Sequence, residues 1–157
     1  MIGAGVILGV DPGASGALAW VSGDGHLIEV ADMPVVDVRG KKRVSAADLR
    51  ALMLRRVVTR VVIEGVGAMP RQGLGSTFVF GYGAGMIEGV ATGLAIPVEI
   101  VHAATWKRRA GVPADKGAAR QMASRMWPGA CERFRRVKDD GRAEAALLAR
   151  WAAGVEA

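Results

Sequence analysis

The first thirty residues constrain the fold most strongly, because they hold three short apolar runs separated only by turns. We predict strands over Val6–Asp11, 16–21 and about 27–31. The connections, residues 12–15 and 23–25, are rich in Gly, Pro, Ser and Asp, as turns are. Connections this short favour an antiparallel meander, since parallel neighbours need a crossover of a dozen or more residues.

Helices and strands alternate after the meander. A basic loop, 39–43, precedes Ser45 and Asp48, whose spacing is that of a helix-capping box. The elements predicted from there on are a helix to about residue 56, a strand over 60–64, a glycine-rich helix, a strand over 97–101, and helices over about 115–126 and 140–153. The order βββαβαβαα predicts an α/β fold with a mixed sheet and helices packed against it.

Chain length and cysteine content narrow the class of protein. The 157 residues fit a single domain, 1–157, and are too few for two large catalytic lobes. The lone cysteine, Cys131, allows no internal disulfide and no cysteine-based zinc site, which favours a reducing compartment. No basic segment precedes the first apolar run, so we expect no signal peptide.

The glycine-rich helix needs separate attention, because 74–98 contains a single charged residue, Glu88, and could span a bilayer by length. Interior glycines and Pro97 favour a helix of a soluble domain instead, so no membrane partner is expected. Four glycines recur every four residues and therefore share one face: Gly81, Gly85, Gly89 and Gly93. Each interior glycine costs about 1 kcal/mol, so we expect this face to pack closely against a sheet or a symmetry mate.

The net charge of +6 is confined to the last third of the chain. Residues 1–100 carry nine basic and nine acidic side chains, whereas 101–157 carry twelve basic and six acidic ones. A basic surface on one part of a domain is typical of proteins that bind a phosphate-rich partner. A merely solvated basic surface is the alternative that composition leaves open.

Two acidic residues fall where acids are uncommon, at the ends of apolar strands. Asp11 ends the first strand, and Glu64 ends the strand predicted over 60–64. A carboxylate beside a hydrophobic sheet is costly unless it is paired or binds a cation. If the two strands are neighbours, both carboxylates lie at one edge of the sheet; solvated strand ends are the alternative.

A third acidic group opens the last helix. Asp140 and Glu144 are four residues apart, hence on one helical face, and Asp139 precedes them. Acids near a helix start are also favoured by the helix dipole, which is the structural alternative. Together with Asp11 and Glu64 they form a set of oxygen ligands suited to Mg²⁺ or Mn²⁺. Two such ions can support phosphodiester hydrolysis.

Three segments together resemble one family. Residues 9–16 (GVDPGASG), 62–64 (VIE) before a glycine-rich helix, and 139–145 (DDGRAEA) are similar to the RuvC-like Holliday-junction resolvases of the ribonuclease H-like superfamily, in particular the short bacteriophage members. The resemblance spans about 6–153 and implies a mixed five-stranded sheet, with three antiparallel strands followed by parallel ones. The Asp11 turn also resembles the phosphate loop of sugar-kinase and actin-like ATPases, which need two lobes and a longer chain.

The resemblance implies a function and a site. Asp11 would bridge two Mg²⁺ ions, for which Mn²⁺ can substitute, while Glu64, Asp140 and Glu144 complete their shells. The protein would be a homodimeric endonuclease that nicks opposing strands of four-way junctions, and possible further substrates are forks and flaps. The nicks would carry 5′-phosphate and 3′-hydroxyl ends. A phage member would act in the cytoplasm of the bacterial host.

The chain departs from the cellular pattern of this family in two places. The late acids of cellular members are Asp residues three apart, so either Asp139 or Asp140 could be the ligand; we prefer Asp140 because it shares a face with Glu144. The loop over 68–72 has no aromatic wedge, which implies relaxed sequence selectivity.

Basic residues after the last strand are candidates for DNA contact. The set is Lys107, Arg108, Lys116 and Arg120, with Arg71 and 39–43 as weaker candidates. Phosphate contacts of this kind give salt-sensitive affinity without sequence information. Trp106, beside Lys107, is expected to pack rather than to stack on bases.

Two other functions stay open at the level of sequence. One is a nuclease of the same superfamily that processes ribosomal RNA, since it shares the fold and an early Asp-Gly turn. The other is a junction-binding module that does not cleave.

Overall fold

The computed structural model describes residues 5–65, 67 and 73–155. The strands are β1 (Val6–Asp11), β2 (Ala17–Ser22), β3 (Leu27–Asp32), β4 (Val35–Val38), β5 (Lys41–Val44), β6 (Val58–Gly65) and β7 (Val98–His102). The α-helices are α1 (Ala46–Met53), α2 (Leu74–Gly93), α3 (Ala103–Arg109), α4 (Lys116–Met126) and α5 (Asp140–Ala152). Two 3₁₀ segments, Pro128–Phe134 and Val137–Asp139, connect α4 to α5.

The main sheet has five strands in the order β3-β2-β1-β6-β7. The first three strands pair antiparallel, and β6 and β7 extend the sheet in parallel with β1. This arrangement confirms the predicted α/β fold with its mixed sheet, and it places β1 next to β6 at the centre.

Each side of the sheet buries its own hydrophobic cluster. On the side covered by α3, α4 and α5, the sheet contributes Ile7, Ala17, Ala19 and Val21. On the side covered by α1 and α2, it contributes larger residues, among them Trp20. Period-two alternation along β1 and β2 separates the two sets. Small side chains on the first side let α5 lie close to the sheet.

Gly9 is the point of closest approach between α5 and β1. A Cβ atom at this position would overlap the carbonyl oxygen of Ala145 and would lie 2.9 Å from the backbone nitrogen of Ala149. Only a residue without a side chain fits there, so Gly9 fixes the height of α5 above the sheet.

The segment predicted as a basic loop is a β-hairpin formed by β4 and β5. Val38 pairs with Lys41, which leaves Arg39 and Gly40 as a two-residue turn with φ of 54° and 77°. Positive φ at both positions is the type I′ geometry, which normally selects Asn-Gly or Asp-Gly. The hairpin was not predicted from the sequence, because its turn is Arg-Gly and its second strand carries exposed cations. Helix α1 also ends earlier than predicted, at Met53.

The glycine face of α2 does not pack against the sheet, so that part of the expectation was wrong. Helix α2 instead buries Gly83, Ile87 and Ala91. Cβ atoms built at the four-residue glycine repeat, at Gly81, Gly85, Gly89 and Gly93, would meet nothing within 4 Å. Within the described ranges, none of the helices is both long and apolar enough to span a bilayer.

Candidate functional site

The two strand-end acids are neighbours. Strands β1 and β6 are parallel, and their register pairs Val10 with Ile63, so Asp11 and Glu64 leave adjacent strands at the same edge. The carboxyl ends of parallel strands are where α/β proteins build their sites. The predicted juxtaposition of these two carboxylates is therefore present.

Helix α5 brings a third carboxylate, that of Glu144, to this edge. The helix start lies against the Asp11 turn, since a Cβ atom at Gly141 would be 2.9 Å from Asp11 Oδ2 and 3.0 Å from the Cα of Gly16. Arg142 fixes the same end laterally through a bidentate pair with Asp32, with Nε–Oδ1 2.6 Å and Nη2–Oδ2 2.9 Å. A glycine contact and one arginine thus hold α5 in place.

Asp11 is the most perturbed carboxyl group of the site. Burial, followed by the charges of Glu144 and Glu64, raises its pKa from 3.8 to about 6. The backbone N–H of Gly13 and the charge of Lys107 offset only part of this effect. Among the described residues, no Lys or Arg forms an ion pair with Asp11. A cation bound here would offset the repulsion of Asp11 by Glu144 and Glu64, which Lys107 offsets only in part.

Lys107 is the cation nearest to the three acids. Its Nζ lies 2.9 Å from Glu144 Oε1 and 3.5 Å from Glu64 Oε1. Burial opposes the charged ammonium group, but these two carboxylates outweigh that effect and raise its pKa. Lys107 therefore neutralises part of the acidic cluster instead of pointing freely to solvent.

Trp106 is a site residue whose role the sequence did not reveal. It is fully buried, as expected for packing, but its indole Nε1 donates a hydrogen bond of 3.0 Å to Glu64 Oε1. The bond fixes the orientation of that carboxylate. A buried indole N–H usually finds a partner, and this was the one available signal; the sequence could not say which acceptor it reaches.

Asp139 and Asp140 have different environments. The carboxylate of Asp139 is buried and accepts hydrogen bonds from the backbone and the guanidinium of Arg136, at 2.7 to 3.2 Å. Burial works to raise its pKa, but these bonds outweigh that effect and lower it. Asp140 forms an ion pair with Arg120, with Nε–Oδ1 2.7 Å. The structure thus joins Asp11, Glu64 and Glu144, while Asp140 is turned to Arg120.

The donor chemistry fits a hard divalent cation, although the side chains are not in coordination geometry. Among the described residues, no three side chains of Asp, Glu, His and Cys are close enough to hold a metal ion as they stand. Lys107 lies where two of the carboxylates would converge. The oxygen donors, which include a half-buried Asp11 without an ion-pair partner among the described residues, are nevertheless the set that Mg²⁺ or Mn²⁺ prefers.

The predicted DNA-contact residues divide into engaged and free cations. Lys107 and Arg120 are paired with acids of the site. Arg108 and Lys116 are exposed, and neither forms an ion pair within the part of the chain that the structure describes. Arg71 lies outside the described residues.

The fold of this chain is similar to that of two solved RuvC structures. The chain is similar to a structure of T. thermophilus RuvC in complex with a Holliday junction substrate, with 19% identity, 94% of each chain covered and a TM-score of 0.64. A second Thermus thermophilus RuvC structure matches at 19% identity over 94% of this chain and 95% of that one, with a TM-score of 0.63. No family model and no curated protein matches the sequence. The likeness establishes the fold, and the assignment to a phage stays a prediction.

Proposed function

We propose that this protein is a metal-dependent endonuclease that nicks branched DNA, with four-way junctions as its main substrate. The observation that carries the proposal is the meeting of Asp11, Glu64 and Glu144 at one edge of a RuvC-like sheet, where the half-buried Asp11 has no ion-pair partner among the described residues. A neighbour of the same fold is described in complex with a Holliday junction. The cations beside the acids suit a polyanionic substrate.

Three carboxylates would hold the metal, with Asp140 as a fourth ligand once Arg120 is drawn away by DNA. Bound there, two Mg²⁺ ions would supply water activation and stabilisation of the leaving oxygen. Trp106 keeps Glu64 oriented through its hydrogen bond. We prefer Asp140 to Asp139 in the proposed ligand set because Arg136 donates hydrogen bonds to both carboxylate oxygens of Asp139. Cleavage at this site would leave 5′-phosphate and 3′-hydroxyl ends.

The cations around the acids would bind the DNA backbone. Arg108 and Lys116 are free to contact phosphates, whereas Lys107 and Arg120 first have to leave their carboxylate partners. Binding of metal and binding of DNA are therefore coupled at this site. A metal ion that takes the carboxylates releases Lys107 and Arg120, which the DNA phosphates can then attract. Arg71 stays a predicted contact.

Replacing Lys107 with Met should raise the affinity for Mn²⁺, since the ion no longer competes with an ammonium group between Glu64 and Glu144. We expect about a tenfold gain, which corresponds to about 1.4 kcal/mol, together with weaker binding of junction DNA. Isothermal titration calorimetry measures the first effect. Arg108→Met, an exposed neighbour, is the matched control and should leave Mn²⁺ binding unchanged. Weaker Mn²⁺ binding by Lys107→Met would contradict this account.

A cleavage assay on matched substrates tests the proposed function. A labelled four-way junction, a linear duplex of the same sequence and a structured RNA are each incubated with Mg²⁺ and with Mn²⁺. We expect paired nicks in the junction and little cleavage of the linear duplex. Binding without nicking would indicate a non-cleaving junction-binding module, and cleavage of RNA alone would indicate an RNA-processing nuclease; either result would overturn the proposal. A fork and a flap in the same assay rank the branched substrates.

We also propose that the protein is a homodimer through the open face of α2. Nicking two opposing strands requires two active sites, and the glycine repeat on this face is unpacked. The same face exposes 91% of Leu74 and 66% of Phe78. Sedimentation at micromolar concentration should show a dimer, and Phe78→Glu should give monomers while Leu54→Glu, another exposed apolar position, should not. A monomeric wild-type protein would contradict the proposal.

A further inference from the structure

A groove lies beside the Asp11 turn, on the side away from the cations that follow β7. Its volume is about 730 Å³. One wall is β5 of the hairpin, the opposite wall is the first part of α2, and one end is formed by Pro12 and Ala14, directly after Asp11. The groove therefore begins directly beside the acidic site.

The hairpin that forms one wall carries four cations that lack ion-pair partners within the described ranges. Arg39, Lys41, Lys42 and Arg43 lie within five residues, and none of them forms an ion pair with an acid in the described part of the chain. The nearest acid in sequence, Asp37, accepts a hydrogen bond from the backbone N–H of Gly40. Lys107 and Arg120, beside the acidic site, are by contrast paired with carboxylates. The hairpin therefore presents a cluster of unneutralised positive charge.

The opposite wall is apolar and aromatic. Val79, Phe80 and Tyr82 line it, and Phe80 reaches the Asp11 turn, where its ring lies 3.5 Å from a Cβ atom built at Gly13. The guanidinium of Arg43 lies 5.8 Å from the centroid of the Tyr82 ring. Arg43 Nε is buried and has no hydrogen-bond partner among the described residues. A ligand here meets cations on one side and aromatic surface on the other.

We propose that this groove binds a single, unpaired DNA strand that continues from the scissile phosphate at Asp11. Its phosphates would lie along Lys41 and Lys42, and its bases or sugars would lie on the aromatic wall. Cationic grooves that also carry aromatic side chains are the general solution for single strands. A duplex arm could not use the aromatic wall, because the faces of its bases are covered by stacking, so the groove favours an unpaired strand. The inference rests on the proposed function, since it assigns the path of the substrate at that site.

Binding measurements on a charge-matched pair of variants test this inference. Arg39, Lys41 and Lys42 are replaced with Gln in one variant, and Arg50, Arg55 and Arg56 are replaced with Gln in the control. All six side chains are exposed, and Arg55 and Arg56 form only surface pairs with Glu29. Affinity for a 20-nucleotide single strand, a four-way junction and a linear duplex is measured in EDTA at several salt concentrations.

We expect the hairpin variant to bind the single strand and the junction about tenfold more weakly at moderate salt. The slope of log K against log salt should fall by about 2, since each lost single-strand phosphate contact removes about 0.7. The linear duplex and the control variant should change by less than about twofold. A hairpin variant that binds like the control would overturn the inference, and so would an equal loss on linear duplex. Failure of the proposed function would look different, because wild type would then not nick the junction at all.

Discussion

Asp11→Asn is expected to abolish nicking while leaving junction binding intact. The substitution preserves shape but removes the charge that would hold the metal, so cleavage should fall by about a thousandfold or more, the order seen when a group essential to the transition state is lost. Binding should persist, because the cations proposed to contact phosphates are untouched. Gel-shift and nicking assays on one junction preparation separate the two effects.

The same substitution should also stabilise the metal-free protein. The pKa of Asp11 is about 6 in the folded chain, against an ordinary value of 3.8. Because the folded pKa is raised, ionisation of this group opposes folding: its cost is absent below about pH 4, grows as the pH rises towards 6, and is complete above 6. The difference corresponds to about 3 kcal/mol. Asparagine never ionises and so avoids this cost.

Chemical denaturation in EDTA at pH 4 and pH 8 checks the second effect. The unfolding free energies of wild type and Asp11→Asn should be similar at pH 4, and the variant should be more stable by up to about 3 kcal/mol at pH 8. Mg²⁺ should then stabilise wild type but not the variant, since a ligand stabilises only the state that binds it. Glu132→Gln, at an exposed surface pair, should behave as wild type. A variant less stable than wild type at pH 8 would contradict the electrostatic account.

Gly9→Ala is expected to have the largest effect on stability. The added methyl group would overlap the carbonyl oxygen of Ala145 and press on Ala149, so α5 would have to move away from β1. Overpacking typically costs about 1 to 3 kcal/mol, and because the overlap here is with backbone atoms we expect a cost of about 3 kcal/mol. Any protein that still folds should nick poorly, because α5 carries Glu144.

Thermal and chemical denaturation measure this destabilisation, and Gly129→Ala provides the matched control. A Cβ atom at Gly129 meets nothing within 4 Å, so that variant should keep the stability of wild type. If the unfolding free energy of Gly9→Ala lies within about 0.5 kcal/mol of the wild-type value, the close approach of α5 to β1 is not what holds the site together.

The sheet and its acids were predictable because their signals are local. An apolar run that stops at Asp11, short turns, and a second run that stops at Glu64 specify both the strands and the positions of the carboxylates. The parallel pairing of β1 with β6 then brings the two acids together. Glu144 followed from its position near the start of a predicted helix.

The partners of these acids could not be predicted, because they depend on packing between distant elements. Lys107 was predicted as a DNA contact, yet its ammonium group lies between Glu64 and Glu144. The hydrogen bond from Trp106 joins residues 42 positions apart. The glycine face of α2 was correctly placed on one side of a helix, but the sequence does not show which side of a helix meets the sheet. The hairpin was missed for a local reason instead, because its Arg-Gly turn lacks the usual Asn-Gly or Asp-Gly.

Mapped nicking of a synthetic four-way junction tests the central claim most directly. Wild type, Asp11→Asn and Glu132→Gln are compared at equal bound fraction in Mg²⁺, and the fragment ends are analysed on both opposing strands. The account predicts paired nicks with 5′-phosphate and 3′-hydroxyl ends for wild type and Glu132→Gln, and none for Asp11→Asn. Undiminished nicking by Asp11→Asn, or a wild-type protein that binds the junction and never cuts it, would contradict the assignment of this acidic site as a nuclease centre.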